Sequence, residues 1–294
     1  MPTTQKRILM LKKIFAPIVW ILDFITKYFK TFVFLFIVAL IAVSISEPIQ
    51  TPNLAKIQIK GMILDSAPLR AQIENLKKYP SIKGVLLVID SPGGALGASV
   101  EMADMIRDLN AHIPVVAHAE GVMASGSYYA GVYASKVYAN RGSLVGSIGV
   151  IFSGFNIEEL LDKIGYKSRV IKAGQYKEAG AYYREWTPQE HAYLQNLINE
   201  EYQMFVSDIA KERKLDINNA DAFAQGKIFN ASRAQKIGLI DEVGSRDEAI
   251  AKLKALSGVT QEVWLQKTKF EDYFDGMLES SMSLILGKFH LDLR

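Results

Sequence analysis

The stretch Gly121–Tyr129 reads Gly-Val-Met-Ala-Ser-Gly-Ser-Tyr-Tyr, and the other predicted elements and motifs lie on both sides of it. It follows the apolar run 113–117 and precedes a run of small and aromatic residues that suits a helix. Ser125 is therefore predicted to lie at a turn between a strand and a helix. At such a turn a hydroxyl projects from the end of the sheet, and the N–H of Gly126 faces a developing oxyanion. The pattern favours Ser125 as a nucleophile, although Ser127 is a second hydroxyl in the same turn.

Strands and helices alternate on both sides of this turn. Apolar runs predict strands at 55–63, 85–89, 113–117, 137–139 and 145–152. Apolar positions repeating every three or four residues predict helices after Ser66, Gly94 and Pro188, and another at Asp247–Leu256. The alternation predicts an α/β fold with largely parallel strands.

Composition excludes several kinds of chemistry. The chain has 294 residues, of which 49% are hydrophobic, which is enough for one large α/β domain and a further segment. The absence of cysteine excludes a thiol nucleophile, a thiolate metal site and disulfides. The four histidines lack a ligand-like spacing such as His-x-x-x-His, so we expect no metal and no cofactor.

Charge is distributed unevenly along the chain. Residues 1–30 carry six basic side chains and one acidic side chain, whereas the net charge of the whole chain is only +3. The remainder is therefore mildly acidic, and we expect no nucleic-acid partner. A basic cluster in front of an apolar run is instead typical of membrane orientation.

The apolar run is the uncharged segment 31–46, which we predict to be a transmembrane anchor, with 1–30 as a cytoplasmic basic and amphipathic segment. Behind it we expect a linker at 47–54, a catalytic domain at 55–269 on the exported side of the cytoplasmic membrane, and a tail at 270–294. The alternative is a cleaved signal peptide, because Ala42-Val-Ser44 has the form of a cleavage site.

A serine nucleophile needs a base within hydrogen-bond reach, and two candidates are present. Lys177 lies among small and aromatic residues at 173–183, a setting that we expect to exclude water. A lysine acts as a base only where burial or nearby positive charge lowers its pKa from about 10.4. His118 precedes Ser125 by seven residues, with Asp90 as a conceivable orienting acid, but we interpret it as a partly buried, hydrogen-bonded histidine.

Further motifs follow in a specific order around the Ser125 turn. They are Asp90-Ser-Pro-Gly-Gly94, Gly146-Ser-Ile-Gly-Val150, Lys172-Ala-Gly-Gln-Tyr-Lys177, Gly226-Lys-Ile-Phe229 and the run 234–243. Together they resemble the signal peptide peptidase A family of Ser/Lys membrane proteases in its short, single-domain form. The resemblance covers roughly 57–244, with one departure at Ser127, where the family usually has glycine.

The resemblance implies a crotonase-like or Clp-protease-like spiral of ββα units. It also implies an endopeptidase that hydrolyses cleaved signal peptides and similar membrane-released peptides through an acyl-enzyme. The residues it assigns are Ser125 as nucleophile, Lys177 as base, Ser147 as the residue orienting the base, and Gly94 and Gly126 as oxyanion donors, with Gly93 as the substitute for Gly94. A homo-oligomeric ring is expected, an octamer by resemblance, with Ser and Lys supplied by neighbouring subunits.

Two other functions remain open from the sequence. A crotonase-like enzyme acting on acyl-CoA thioesters shares the expected fold and the use of glycine N–H groups as oxyanion donors. A catalytically silent membrane scaffold is the third possibility, and the presence of both Ser125 and Lys177 argues against it.

Overall fold

The computed structural model of the chain describes residues 4–45 and 51–266. The chain divides into two units, residues 1–50 and residues 51–294. The predicted tail at 270–294 lies outside the described residues, as do Ser46 and the first part of the predicted linker.

The first unit contains one long helix, α1, at Thr4–Ile45, which includes Pro17. No helix among the described residues is both long and apolar enough to cross a membrane. The prediction of a transmembrane anchor at 31–46 is therefore not supported. Its uncharged run has sixteen residues and continues on its N-terminal side into the charged turns that hold Lys27 and Lys30, whereas a spanning helix needs about 20 apolar residues.

The second unit is built on a seven-stranded sheet. Its strands are β1 (Leu54–Ile63), β2 (Gly84–Gly94), β3 (Val115–Ala124), β4 (Lys136–Ala139), β5 (Leu144–Gly146), β6 (Ile228–Asn230) and β7 (Glu242–Val243). The order is β1-β2-β3-β4-β7, and all of these pairs are parallel. Strand β5 runs parallel to the end of β3, and β6 pairs antiparallel with β5. The predicted α/β class with largely parallel strands is confirmed.

Helices cover both faces of this sheet. They are α2 (Ala67–Lys77), α3 (Leu96–His112), α4 (Gly126–Gly131), α5 (Glu158–Lys163), α6 (Pro188–Arg213), a 3-10 helix (Ile217–Ala222), α7 (Ala231–Lys236) and α8 (Arg246–Ser257). The larger core includes residues of α2, α3, α4 and α6, and a smaller core on the other face includes Ala249 and Leu253 of α8. Residues 85–89 of β2 are all buried, as the continuous apolar run predicts for a strand covered on both faces.

The segment between β5 and α6 differs from the sequence prediction. The strand expected at 145–152 ends at Gly146, because Gly146 (φ +111°) and Ser147 (φ +51°) leave the extended conformation. The strand-like residues 168–171 form no strand, and α5 is the only regular helix in 147–187, a segment that the structure describes throughout. Several large apolar side chains of this segment are exposed, including Ile151 (84%) and Phe155 (86%).

Candidate active site

Ser125 occupies the junction between β3 and α4, as the sequence predicts. Its backbone angles, φ +53° and ψ −124°, are rare for a residue with a side chain and cost on the order of 1–3 kcal/mol. The Ser125 N–H donates to the carbonyl oxygen of Gly146 (2.7 Å), and its own carbonyl accepts from the N–H of Tyr129 (3.0 Å). Both main-chain groups are thus engaged, while the residue stays partly exposed. The arrangement holds a hydroxyl at the carboxyl end of the sheet.

Ser127 has a different environment in the same turn. It is completely buried. Its Oγ accepts a hydrogen bond from the N–H of Ala124 (2.9 Å) and donates to the carbonyl oxygen of Ser91 (2.7 Å). Ser127 therefore ties the end of β3 to the end of β2, and a substrate has no access to it.

The helix behind Ser125 is anchored by two tyrosines, which the sequence analysis did not single out. The Tyr128 hydroxyl donates to the carbonyl oxygen of Leu239 (2.7 Å). The Tyr129 ring stacks on Phe205 of α6 with centroids 4.5 Å apart, and its hydroxyl donates to Asp208. Burial raises the pKa of the Tyr129 hydroxyl well above its usual range, so it remains a donor. The sequence signal for this anchoring role is the position of two aromatic residues directly after a turn of small residues.

The glycine pair at the end of β2 lies against the Ser125 turn. A Cβ on Gly93 (φ +92°) would stand 2.7 Å from the nitrogen of Gly126 and 2.8 Å from the Cβ of Ser125. A Cβ on Gly126 would stand 3.7 Å from the nitrogen of Gly94. The Gly93 N–H donates to Ser91 Oγ (3.2 Å), which favours Gly94 over Gly93 as an oxyanion donor. Two backbone nitrogens, those of Gly94 and Gly126, are thereby brought close to each other.

Ser147 follows the short strand β5, which pairs with β3 so that Gly146 stands opposite Ala124. The Ser147 N–H donates to the carbonyl oxygen of Lys227 (2.7 Å), and the Gly226 N–H donates to that of Ile148 (2.8 Å). The distal Gly226-Lys motif thus packs against the Ser147 turn. Ser147 reaches the same end of the sheet as Ser125.

Lys177 is the predicted base, and it lies in the segment between β5 and α6. Its N–H donates to the carbonyl oxygen of Gly174 (3.3 Å) in an exposed turn. Among residues 51–266, no hydrogen bond or ion pair joins its side chain to Ser125 or Ser147. The segment that carries Lys177 exposes several large apolar side chains, including Ile151, Phe155 and Ile171.

His118 is buried inside β3, opposite Val88 on one side and Tyr138 on the other. Its Nε2 lies 3.3 Å from the carbonyl oxygen of Gly244, and its Nδ1 is buried without a partner in the described part of the chain. Burial lowers the pKa of the imidazole. The Asp90 carboxylate accepts from the N–H of Val122 (2.9 Å), so it does not orient this ring.

The structure thus has a parallel sheet with a serine turn and paired glycines at the carboxyl ends of its strands, an arrangement that suits a hydrolytic enzyme with a serine nucleophile. Residues 107–260 match the model of peptidase family S49. Since this match covers more than half of the chain, the protein belongs to peptidase family S49.

Individual relatives agree with this family. The chain is 42% identical over 64% of its length to a putative protease of Methanocaldococcus jannaschii, and it spans 60% of that protein. It is 29% identical over 72% of its length to a putative signal peptide peptidase of Enterococcus faecium, of which it spans 65%. The chain thus spans less than two thirds of each of these two relatives.

A solved structure shares the fold. A mutant of the 1510-N membrane-bound stomatin-specific protease superimposes with a TM-score of 0.50 and 16% sequence identity. The match covers 75% of the present chain and all of that structure.

Proposed function

We propose that the protein is a serine endopeptidase in which Ser125 is the nucleophile and Lys177 is the general base. The observation that carries this proposal is the conformation of Ser125 at the end of β3, beside the nitrogens of Gly94 and Gly126. Membership of a peptidase family supports it.

In the proposed reaction, the Ser125 hydroxyl attacks the scissile carbonyl carbon and its proton passes to the Nζ of Lys177. The carbonyl oxygen becomes an oxyanion that accepts hydrogen bonds from the N–H groups of Gly94 and Gly126. Loss of one such donor typically costs about 3–4 kcal/mol of transition-state stabilisation. Lys177 then protonates the leaving amine, and water hydrolyses the acyl-enzyme with Lys177 again as the base.

Ser147 takes the orienting role in this proposal. The support is the backbone of its turn, which is bonded to the carbonyl oxygen of Lys227 and follows Gly146, the residue whose carbonyl accepts from the Ser125 N–H. A hydrogen bond between the Ser147 hydroxyl and the Lys177 amine would hold Lys177 in line with Ser125, as the aspartate does in a catalytic triad.

The lysine is proposed to come from a neighbouring subunit. The support is the segment 147–187, which carries Lys177 and in which Ile151, Phe155 and Ile171 are exposed apolar side chains. Exposed apolar patches of this kind mark interaction sites. A second copy of the chain that covered this segment would bring Lys177 to a Ser125 turn, and repetition of this heterologous contact closes a ring, with eight subunits proposed by resemblance.

The proposed substrates are cleaved signal peptides and similar peptides released from membranes. The name of the Enterococcus faecium relative supports this class. The basic excess of residues 1–30 supports a location on the cytoplasmic membrane with the catalytic domain exported. A reporter fused after Pro48 should then be exported, whereas a mature N-terminus near Ile45 would indicate a cleaved signal peptide.

Labelling with a serine-reactive phosphonate tests the mechanism. The full chain should become modified at Ser125, and the rate of peptide hydrolysis should fall in proportion to the fraction of Ser125 that is modified. Modification of another residue, or turnover of acyl-CoA thioesters in place of peptides, would contradict the proposal.

A further inference from the structure

An ion pair between the partly buried Arg184 and the buried Glu190 lies beside the turn that carries Lys177. The guanidinium of Arg184 binds Glu190 through two hydrogen bonds, Nη1 to Oε2 (2.9 Å) and Nη2 to Oε1 (2.7 Å). The Glu190 side chain is only 4% exposed. A two-point contact between a planar guanidinium and a carboxylate fixes orientation as well as distance.

Glu190 is itself rigidly held. It is the fourth residue of a capping box in which the Thr187 N–H donates to Glu190 Oε2 (2.9 Å) and the Glu190 N–H donates to Thr187 Oγ1 (3.2 Å). The helix that follows, α6, has 26 residues and buries Phe205 and Ile209 in the main core. The carboxylate that binds Arg184 therefore belongs to the rigid framework.

On its other side Arg184 reaches the residue next to Lys177. Its Nη2 donates to the carbonyl oxygen of Glu178 (3.3 Å) and lies 3.6 Å from the Glu178 carboxylate. That carboxylate also pairs with the Nζ of Lys172 (2.6 Å) and accepts from the hydroxyl of Tyr183. The main chain directly after Lys177 is thus tied to α6 through one side chain.

Other contacts also hold this turn, and the ring of Tyr176, directly before Lys177, stacks on Tyr193 of α6 with centroids 4.7 Å apart. Trp186 donates from Nε1 to the carbonyl oxygen of Ala181 (2.8 Å), and Phe152 packs close to Gly180. The flanking residues 162–177 are exposed and belong to no strand. The Lys177 turn is therefore held to α6 by a polar contact through Arg184 and an aromatic contact through Tyr176.

We infer that Arg184 is a positioning residue of the peptidase reaction, which holds the Lys177 turn against α6 so that the lysine amine meets Ser125 in the assembled enzyme. This inference rests on the proposed function, because it requires Lys177 to be the base. A base that is displaced by about 1 Å loses on the order of 100-fold in rate, so a positioning residue acts mainly on kcat.

The test compares Arg184→Ala and Arg184→Lys with the full-length enzyme. In Arg184→Ala we expect kcat to fall by about 10- to 100-fold, with KM within about twofold of its original value. The rate of phosphonate labelling at Ser125 should fall in parallel, since it needs the same base. Arg184→Lys keeps the charge but not the planar fork, so it should restore only part of kcat.

A matched control is available in Arg213, which makes a comparably buried pair away from Lys177. Its Nη1 lies 2.9 Å from Asp241 Oδ2, and its Nε donates to the carbonyl oxygen of Gly238 (2.7 Å). Arg213→Ala should lower the melting temperature and leave the kcat of the folded, assembled enzyme unchanged.

The possible outcomes distinguish a failure of the proposed function from a failure of the role inferred for Arg184. If Lys177→Ala stays active, the proposed function fails. If Lys177→Ala and Ser125→Ala are inactive while Arg184→Ala keeps its original kcat, only the positioning role is overturned. If Arg184→Ala fails to fold or assemble, Arg184→Lys tests the positioning role instead. A full kcat in Arg184→Lys contradicts the inference, whereas a reduced kcat at unchanged KM supports it.

Discussion

The N–H of Ser125 donates to the carbonyl oxygen of Gly146 at 2.7 Å, so the turn that carries one serine is bonded to the turn that carries Ser147. Both residues have positive φ angles, +53° and +51°, and both follow paired strands at the same end of the sheet. Each strained backbone conformation lowers the free energy of unfolding, and residues strained in this way are concentrated at functional sites. The relationship places the proposed nucleophile and its proposed orienting partner in one rigid substructure.

The two hydroxyls of the nucleophile turn should respond differently to mutation. Ser125→Ala should abolish peptide hydrolysis without loss of stability, because its side chain is small and partly exposed. Ser127→Ala should retain most of the activity of the folded enzyme but lower the free energy of unfolding by about 1–3 kcal/mol, since it leaves the buried Ala124 N–H unpaired. Peptidase assays and urea denaturation of both variants check this. Equal loss of activity in the two variants would contradict the assignment.

Gly94 should tolerate no side chain. A Cβ there would stand 2.0 Å from the carbonyl oxygen of Ile63, so Gly94→Ala must displace the nitrogen proposed to bind the oxyanion. We expect kcat/KM to fall by at least about 100-fold. Gly97→Ala, three residues later in α3, is the matched control, because a Cβ there meets no heavy atom of the structure within 4 Å. That variant should keep its activity and gain up to about 1 kcal/mol in stability. Similar kcat/KM values for the two variants would contradict the role of Gly94 as an oxyanion donor.

The parts of the site that the sequence predicted correctly depend on local patterns. The apolar run 85–89 and the small residues around Ser125 place a strand and a turn where the structure has them. The resemblance put Gly94 ahead of Gly93, but the physical reason for that order is the contact between the Gly93 N–H and Ser91 Oγ, which a sequence does not reveal. The strand predicted at 145–152 stops at Gly146, because the positive φ angles of Gly146 and Ser147, which the apolar pattern does not reveal, end the extended conformation.

The contacts of Arg184 are a second feature that the sequence does not predict. Glu190 is recognisable from sequence as part of a capping signal, Thr187-Pro-Gln-Glu190, ahead of a helix. Its bidentate contact with Arg184 is not recognisable, because the loop between them has no periodic pattern from which its path follows. Positioning residues of this kind become visible only in three dimensions.

His118 should make stability depend on pH. Burial holds its pKa below the usual 6.5, so the unfolded chain binds a proton at a higher pH than the folded chain does. The free energy of unfolding should therefore decrease as the pH falls through about 6.5 toward the folded-state pKa. The lowered pKa values of Glu178 and Glu190, in contrast, affect stability only in a more acidic range.

Urea denaturation between pH 7.5 and 5 measures this effect. His118→Leu should show a smaller loss of stability over that range than the unmodified protein. The exposed His191 provides the control, and His191→Gln should leave the pH dependence unchanged. An unaltered slope in His118→Leu would contradict the role of the buried imidazole.

The proposed assembly predicts that two inactive variants restore activity when they are combined. Lys177 lies on an exposed segment with no described contact to Ser125 of the same chain, so each complete site should draw its lysine from a neighbouring copy. Oligomers formed from Ser125→Ala and Lys177→Ala subunits contain some interfaces at which an intact Ser125 faces an intact Lys177. Refolding the two variants together should therefore recover part of the original kcat, whereas each variant alone stays inactive. The amount recovered should follow the mixing ratio and be largest near equal proportions. If mixed oligomers form, as shown by co-purification of two different tags, and yet remain inactive, both residues act from one chain and the ring-spanning site is wrong.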